Sequence, residues 1–200
     1  MTLPRLLVLT DRRQARAPLV EVVEACVAGG ARAVVLREKD LPDDERPVLA
    51  ATLRALVAEV DGRLLGASDP DLSHDGVHLA AHDPLPGGLA PDAWVGRSCH
   101  DRGDLLTAAA EGCTHATLSP IFPTRSKPGY GPALGTAALD DTPLPTYALG
   151  GIDTPAAAAA CVAAGAHGVA VMGALMRSAR PDRLVADLLA ALPPISEPTP

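Results

Sequence analysis

Residues 28–38 read AGGARAVVLRE. An alanine-containing helical stretch stops at Gly29-Gly30, one short turn follows, and Ala33 to Leu36 run apolar into Arg37-Glu38. The same order returns at 110–120, AEGCTHATLSP, and at 163–173, AAGAHGVAVMG. Glycine closes a helix because it adopts backbone angles that other residues resist, and a turn of two or three residues then opens a strand. An apolar run without alternation marks a strand covered on both faces. Three copies of one such junction predict a repeating strand–helix architecture.

Working outward, strands are predicted at 5–10, 33–36, 64–67, 76–79, 94–96, 116–118, 146–149 and 168–171. Helices are predicted at 19–28, 44–59, 102–110, 155–164 and 181–191. The helix at 155 has Asp153 or Thr154 as its cap and proline in its first turn. Eight strands with helices between them favour a closed (β/α)8 TIM barrel over an open doubly wound sheet. The third crossover departs from the pattern, because the eight residues SDPDLSHD between Ala67 and Gly76 are too few for a helix. One domain is expected over 1–192, with PPISEPTP at 193–200 as a disordered tail.

Composition narrows the class. The chain is 48% hydrophobic but only 2% aromatic, so Ala, Val and Leu must fill its core. That suits helices packed on a parallel sheet better than an aromatic-rich sandwich. A net charge of −7 without a basic cluster argues against nucleic acid as a partner. No apolar run approaches the ~18 residues of a membrane span. The opening MTLPRLLVLTDRR lacks a charged leader and a cleavage site, and reads as a strand and not as a signal peptide. Cys26, Cys99, Cys113 and Cys161 are far apart and form no metal-like pair. They read as buried reduced thiols, compatible with the cytoplasm.

In such a barrel, function sits just beyond the C-terminal ends of the strands. Arg37, Lys39 and Lys127 are cations in those positions, with Arg125 a further candidate. Asp69 and Asp83 are carboxylates able to hold Mg²⁺, a hard ion that often takes one or two carboxylates plus substrate phosphate oxygens. Gly150-Gly151, Gly173 and the hydroxyls of Ser98, Thr124 and Ser126 offer donors to an anion, and the glycines after strands seven and eight occupy a phosphate position common in such barrels. Each residue alone has a plainer reading. Arg-Glu-Lys-Asp can be a solvated loop, a lone Asp a helix cap, Gly-Gly a turn, and His78 or His100 a hydrogen-bonded core histidine. Glu38 is open between facing a ligand and pairing with a nearby cation. Convergence of all these on one predicted face points to a phosphorylated or pyrophosphorylated small molecule.

The segments LTDR, GGARAVVLREKD, DGVHLAAHD, VGRSCH, LSPIFPTRSKPG, ALGGI and GVAVMGAL, in this order from Leu6 to Leu175, resemble the thiamine-phosphate synthases and the related thiazole tautomerases. The synthase resemblance implies a TIM barrel that joins an aminopyrimidine methyl pyrophosphate to a hydroxyethylthiazole phosphate and releases pyrophosphate. It implies that Arg37 and Lys39 contact the pyrophosphate, with Ser98 and Lys127 alongside. Asp83 and Asp69 then hold Mg²⁺, and Thr124, Ser126, Gly151, Met172 and Gly173 bind the thiazole phosphate. Gly150 and Ser68 join the substrate-binding set, and a homodimer is implied as well.

Five positions depart from the family pattern. Val35 stands where the family has Gln, Ser68 replaces the Asn of an Asn-Asp pair, Ala80-Ala81 replace Gly-Gln, and Gly173 replaces Ser. Lost polar contacts worth ~1 kcal/mol each would weaken pyrimidine binding without disturbing the fold. That leaves two alternatives open: a metal-independent thiazole tautomerase, or a non-catalytic protein that binds thiazole or thiamine phosphate. Pro120 stands where some tautomerases have histidine, so His100 or His78 would then move the proton.

Overall fold

A computed structural model of the chain describes residues 2–73, 75–124 and 132–193. Eight parallel strands follow one another around a closed barrel: β1 (Leu6–Leu9), β2 (Ala33–Leu36), β3 (Arg63–Ala67), β4 (Gly76–Leu79), β5 (Trp94–Cys99), β6 (His115–Leu118), β7 (Thr146–Leu149) and β8 (Gly168–Val171). Leu6, Leu7 and Val8 pair with Val169, Ala170 and Val171 and close the ring. The expected TIM barrel is the fold found. The helices are α1 (Leu19–Ala28), α2 (Glu45–Ala58), α3 (Arg102–Ala110), α4 (Pro155–Ala163), α5 (Gly173–Met176) and α6 (Pro181–Ala190). Thr154 caps α4 by accepting from the Ala157 N–H at 3.2 Å, as its position before Pro155 predicts.

Beyond shifts in the ends of elements, two features differ from the sequence reading. Residues 80–93, between β4 and β5, contain no helix, so the third crossover is not the lone exception. Three prolines (Pro84, Pro86, Pro91) and Gly87-Gly88 deny this segment the backbone donors and stiffness that a helix needs. The second is the four-residue α5 directly after β8, too short to announce itself by periodicity. The final residues 194–200 of the expected tail lie outside the described residues.

The uniform apolarity of the strands conceals two cores. Leu6, Val8, Val34, Leu36, Leu64 and Val169 pack outward against the helices. Leu7, Leu9, Ala33, Val35, Leu65 and Ala170 pack inward on one another. Adjacent residues point to opposite faces of a strand, so both faces must be apolar when both are covered.

One side of the interior holds rings. His78 on β4 stacks on His115 on β6, with centroids 5.6 Å apart, and the Tyr147 edge meets His115 at 5.6 Å. Gly96 of β5 makes room for this pair, since a Cβ there would lie 2.3 Å from both His115 Nε2 and His78 Nδ1. All four cysteines are free and buried. Burial pushes the Cys26 and Cys99 thiols up to about 12 and Cys161 to about 11. Among the described residues, no helix is long and apolar enough to cross a membrane.

Gly96→Ala forces a methyl group into the histidine pair. Overpacking of this kind costs ~1–3 kcal/mol, and a contact this close belongs at the upper end. Urea denaturation should show a loss of about 3 kcal/mol; an unchanged midpoint would refute this packing of His78 and His115.

Candidate active site

A cavity of about 420 Å³ opens at the C-terminal ends of the strands. Arg37, Lys39, Ser68, Ser98, Thr124, Gly150, Gly151, Met172 and Gly173 all line it. Residues contributed by β2, β3, β5, β7 and β8 and by the loop after β6 therefore meet at one mouth. Ser126, Lys127 and Arg125 lie outside the described residues.

Arg37 leaves β2 and spans the opening. Its backbone N–H donates to Thr10 Oγ1 at 3.0 Å, and its guanidinium reaches Met172 Sδ at 2.8 Å beyond β8. These partners are neutral, so they fix the group without cancelling its charge. Glu38 turns the other way. It is 3% exposed, and both carboxylate oxygens accept from the Arg12 backbone N–H at 3.1 Å, with the Arg12 guanidinium 3.6 Å away. Glu38 therefore secures the loop after β1 instead of meeting a ligand.

Lys39 Nζ donates to Ser68 Oγ at 2.7 Å, and the Ser68 hydroxyl bonds Asp83. The Asp83 carboxylate also accepts from the Ala80 N–H at 2.8 Å. The Ser68 bond, then the Ala80 N–H and the charges of Lys39 and Arg97, hold the Asp83 carboxyl below its ordinary range. Ser68 takes φ +56°, a left-handed angle that glycine and asparagine adopt more readily.

Arg97 fixes the loop that carries Asp83. It is 2% exposed and donates to the Ala80, Ala81 and Asp83 carbonyls at 3.1, 3.0 and 2.9 Å. Strand position alone did not single it out, because its side chain faces outward. Asp69 sits differently from Asp83. Its carboxylate faces Arg46 of α2 at 3.0 Å and accepts from the Asp71 N–H at 3.2 Å, and neither carboxylate lines the cavity.

The floor is polar on the side of β4 to β6. His78 Nε2 lies 3.2 Å from Ser98 Oγ and 3.3 Å from Thr117 Oγ1. Burial first, then the charges of Arg37, Lys39 and Arg97, push the His78 ring down to about 4. It is neutral near pH 7. His100 also lines the cavity, with Nδ1 2.9 Å from the Ser119 carbonyl. A carbonyl only accepts, so Nδ1 carries the proton.

Beyond β7, Gly150 and Gly151 adopt φ +99° and +69°. A Cβ on Gly151 would lie 2.6 Å from Phe122 Cβ and the Pro123 carbonyl. Ile121 and Phe122 donate their backbone N–H groups to the Leu149 and Gly150 carbonyls at 2.9 and 3.1 Å. Only glycine permits this close seating of the loop after β6 against the one after β7. Asp153 and Arg177 also line the cavity, and the sequence reading missed both as site residues. Arg177 lies beyond the unanticipated α5, which removed the one signal that would have placed it at a strand end.

A closed barrel with fixed cations, hydroxyls and paired glycines around one mouth belongs to the class built to hold phosphorylated small molecules. Residues 6–175 match the family model described as thiamine monophosphate synthase, and the chain belongs to that family. It is 38% identical over 203 residues to a putative thiamine-phosphate synthase of Geobacter sulfurreducens, covering 94% of each chain. It is 36% identical over 185 residues to the thiamine-phosphate synthase of Methanoculleus marisnigri, covering 86% of this chain and 87% of that one. Among solved structures, thiamine phosphate pyrophosphorylase from Pyrococcus furiosus superposes with a TM-score of 0.81 at 28% identity, covering 94% of each.

The neutral buried His78 generates a pH dependence. The unfolded ring binds its proton near pH 6.5 and the folded ring only near pH 4. Between these values the unfolded state holds more protons, so stability present above pH 6.5 is lost as the pH falls. His78 should contribute about 3 kcal/mol to that loss, and His115 and His167, also lowered by burial, act in the same direction. Denaturant titrations from pH 7 to 4 should give a shallower slope for His78→Gln than for the parent; identical slopes would exclude this protonation state.

Proposed function

We propose that the chain is a thiamine-phosphate synthase, a transferase that joins aminopyrimidine methyl pyrophosphate to hydroxyethylthiazole phosphate and releases pyrophosphate. The observation that carries this reading is the meeting of Arg37 and Lys39, themselves held by uncharged partners, with Gly150-Gly151 at one cavity. Departure of pyrophosphate builds negative charge on the leaving oxygens and positive charge on the pyrimidine methylene. Preorganised cations aimed at those oxygens stabilise the transition state more than the ground state. The thiazole nitrogen is the nucleophile, so no side chain needs to attack. Ser98, backed by neutral His78, presents a hydroxyl beside the same leaving group. Thr124, Met172 and Gly173 border the thiazole phosphate, and Lys127 and Ser126 are proposed to complete the two ends.

Mg²⁺ fits through Asp83. Among the described residues there is no group of three His, Cys, Asp or Glu side chains able to hold a metal unaided. An ion here would draw on one or two carboxylates and the pyrophosphate oxygens, a donor set that suits magnesium. Asp83 is ionised and lies one hydrogen bond from Ser68 at the cavity wall. Asp69 would join it by exchanging Arg46 for the ion. When bound, Mg²⁺ supplies charge neutralisation to the leaving pyrophosphate. The four buried free thiols suit the cytoplasm, and the family resemblance suggests a homodimer.

Pyrophosphate release from the two precursors tests the proposal. Turnover should require Mg²⁺ and vanish with EDTA. Arg37→Ala should lower kcat by ~10²–10³, and Asp83→Asn should be nearly inactive. Turnover of a thiazole phosphate alone, unaffected by EDTA, would identify a tautomerase instead. Calorimetric binding without turnover of either precursor would leave only a binding protein.

A further inference from the structure

We propose that Arg177 clamps the thiazole monophosphate and gives this chain its preference for the phosphorylated thiazole over the free alcohol. The proposal rests on the synthase reading and adds to it a residue that lies beyond the strand ends.

Arg177 lies one helical turn after Gly173 and donates its backbone N–H to the Gly173 carbonyl at 3.1 Å. Arg177 lines the cavity together with Gly151, Gly173 and Ala174. The side chain is also docked. Its guanidinium donates to Gln14 Oε1, and Gln14 Nε2 donates to Asp11 Oδ2 at 2.6 Å. The Arg16 N–H donates to the Met176 carbonyl at 2.9 Å and ties this loop to α5. The guanidinium is thus held from the loop after β1, as Arg37 is held by Met172 from across the mouth.

The choice of holder matters. Gln14 is neutral, and among the described residues no ion pair involves Arg177. Its charge remains available. A guanidinium has five donors and matches two phosphate oxygens in its plane, so one bond to Gln14 leaves the rest for an anion. Asp153 borders the same cavity from the loop after β7. A carboxylate there would repel a phosphate dianion unless cations stood nearby, and Arg177 joins Arg37, whose guanidinium reaches Met172, as a cation lining the cavity. Gly173 contributes no hydroxyl at the position where the resemblance implies serine, so a charged donor one turn later takes over that end of the ligand. The free alcohol lacks the phosphate and gains nothing from Arg177, which makes the residue a selectivity determinant.

Steady-state kinetics with both precursors and calorimetry with inorganic phosphate test this together. A hydrogen bond to a charged group is worth ~1.5–3 kcal/mol, so Arg177→Ala should raise KM for the thiazole phosphate roughly 10- to 100-fold. Its kcat and its KM for the pyrimidine pyrophosphate should stay within about threefold, a split that general loss of structure would not produce. Turnover of the unphosphorylated thiazole alcohol should be equal in parent and variant. Arg177→Lys should recover part of the loss, and Gln14→Ala should fall between parent and Arg177→Ala. Phosphate binding, read without turnover, should weaken in Arg177→Ala. The idea is overturned if the thiazole phosphate KM is unchanged, if the pyrimidine KM moves instead, or if the parent binds no phosphate at millimolar concentration. Should the parent bind phosphate but convert neither precursor, the synthase reading fails, while the phosphate titration still decides for or against Arg177.

Discussion

Pairing of Leu6, Leu7 and Val8 with Val169, Ala170 and Val171 joins the first strand to the last, and the rest of the molecule depends on that seam. An open sheet would expose the row formed by Leu7, Leu9, Val35, Leu65 and Ala170, which closure turns into an interior. It would also leave two lines of unpaired backbone donors and acceptors, each a site for unwanted pairing. Closure brings the ends of β1, β2 and β8 side by side. Thr10 and Arg37 follow consecutive strands, but Met172 joins them only because closure sets β8 beside β1.

The same closure limits what can lie inside. Eight strands leave an interior just wide enough for side chains to fill, and the stacked rings of His78 and His115 need the absent side chain of Gly96 to fit. His78 Nε2 reaches the hydroxyls of Ser98 and Thr117, whereas His78 Nδ1 and His115 Nε2 are buried without a hydrogen-bond partner among the described residues. A neutral imidazole therefore forms the floor under a cluster of cations. Those cations are anchored by a sulfur, a hydroxyl and an amide, which orient them and leave their charge unspent for an anionic ligand.

The fold was readable because the repeated junction at 28–38, 110–120 and 163–173 is governed by local physics, namely glycine at a helix end and apolarity without alternation. Much of the cavity was readable for the same reason, since the residue directly after a strand, as at Arg37, Ser68, Gly150 and Met172, starts at the mouth, although Glu38 and Asp69 one position later turn away. What escaped the sequence depends on long side chains choosing among distant partners. Asp69 meets Arg46, 23 residues away on α2, and Arg97 reaches back to the carbonyls of 80–83. Strand β5 runs to Cys99, three residues past its predicted end, because Gly96 interrupts its apolar run without breaking its pairing. Arg177 follows a helix of four residues that no period could reveal.

The sulfur atoms of this chain tell a quieter story. Only the thiolate attacks electrophiles or oxidants, and burial keeps Cys26, Cys99 and Cys161 protonated far above neutral pH. With Cys113 also enclosed, the native fold shields every one of its thiols from alkylating reagents. Modification must then wait for the barrel to open. Each cysteine becomes a built-in clock, and the speed at which a thiol-specific dye is taken up counts excursions from the native state at that place in the ring.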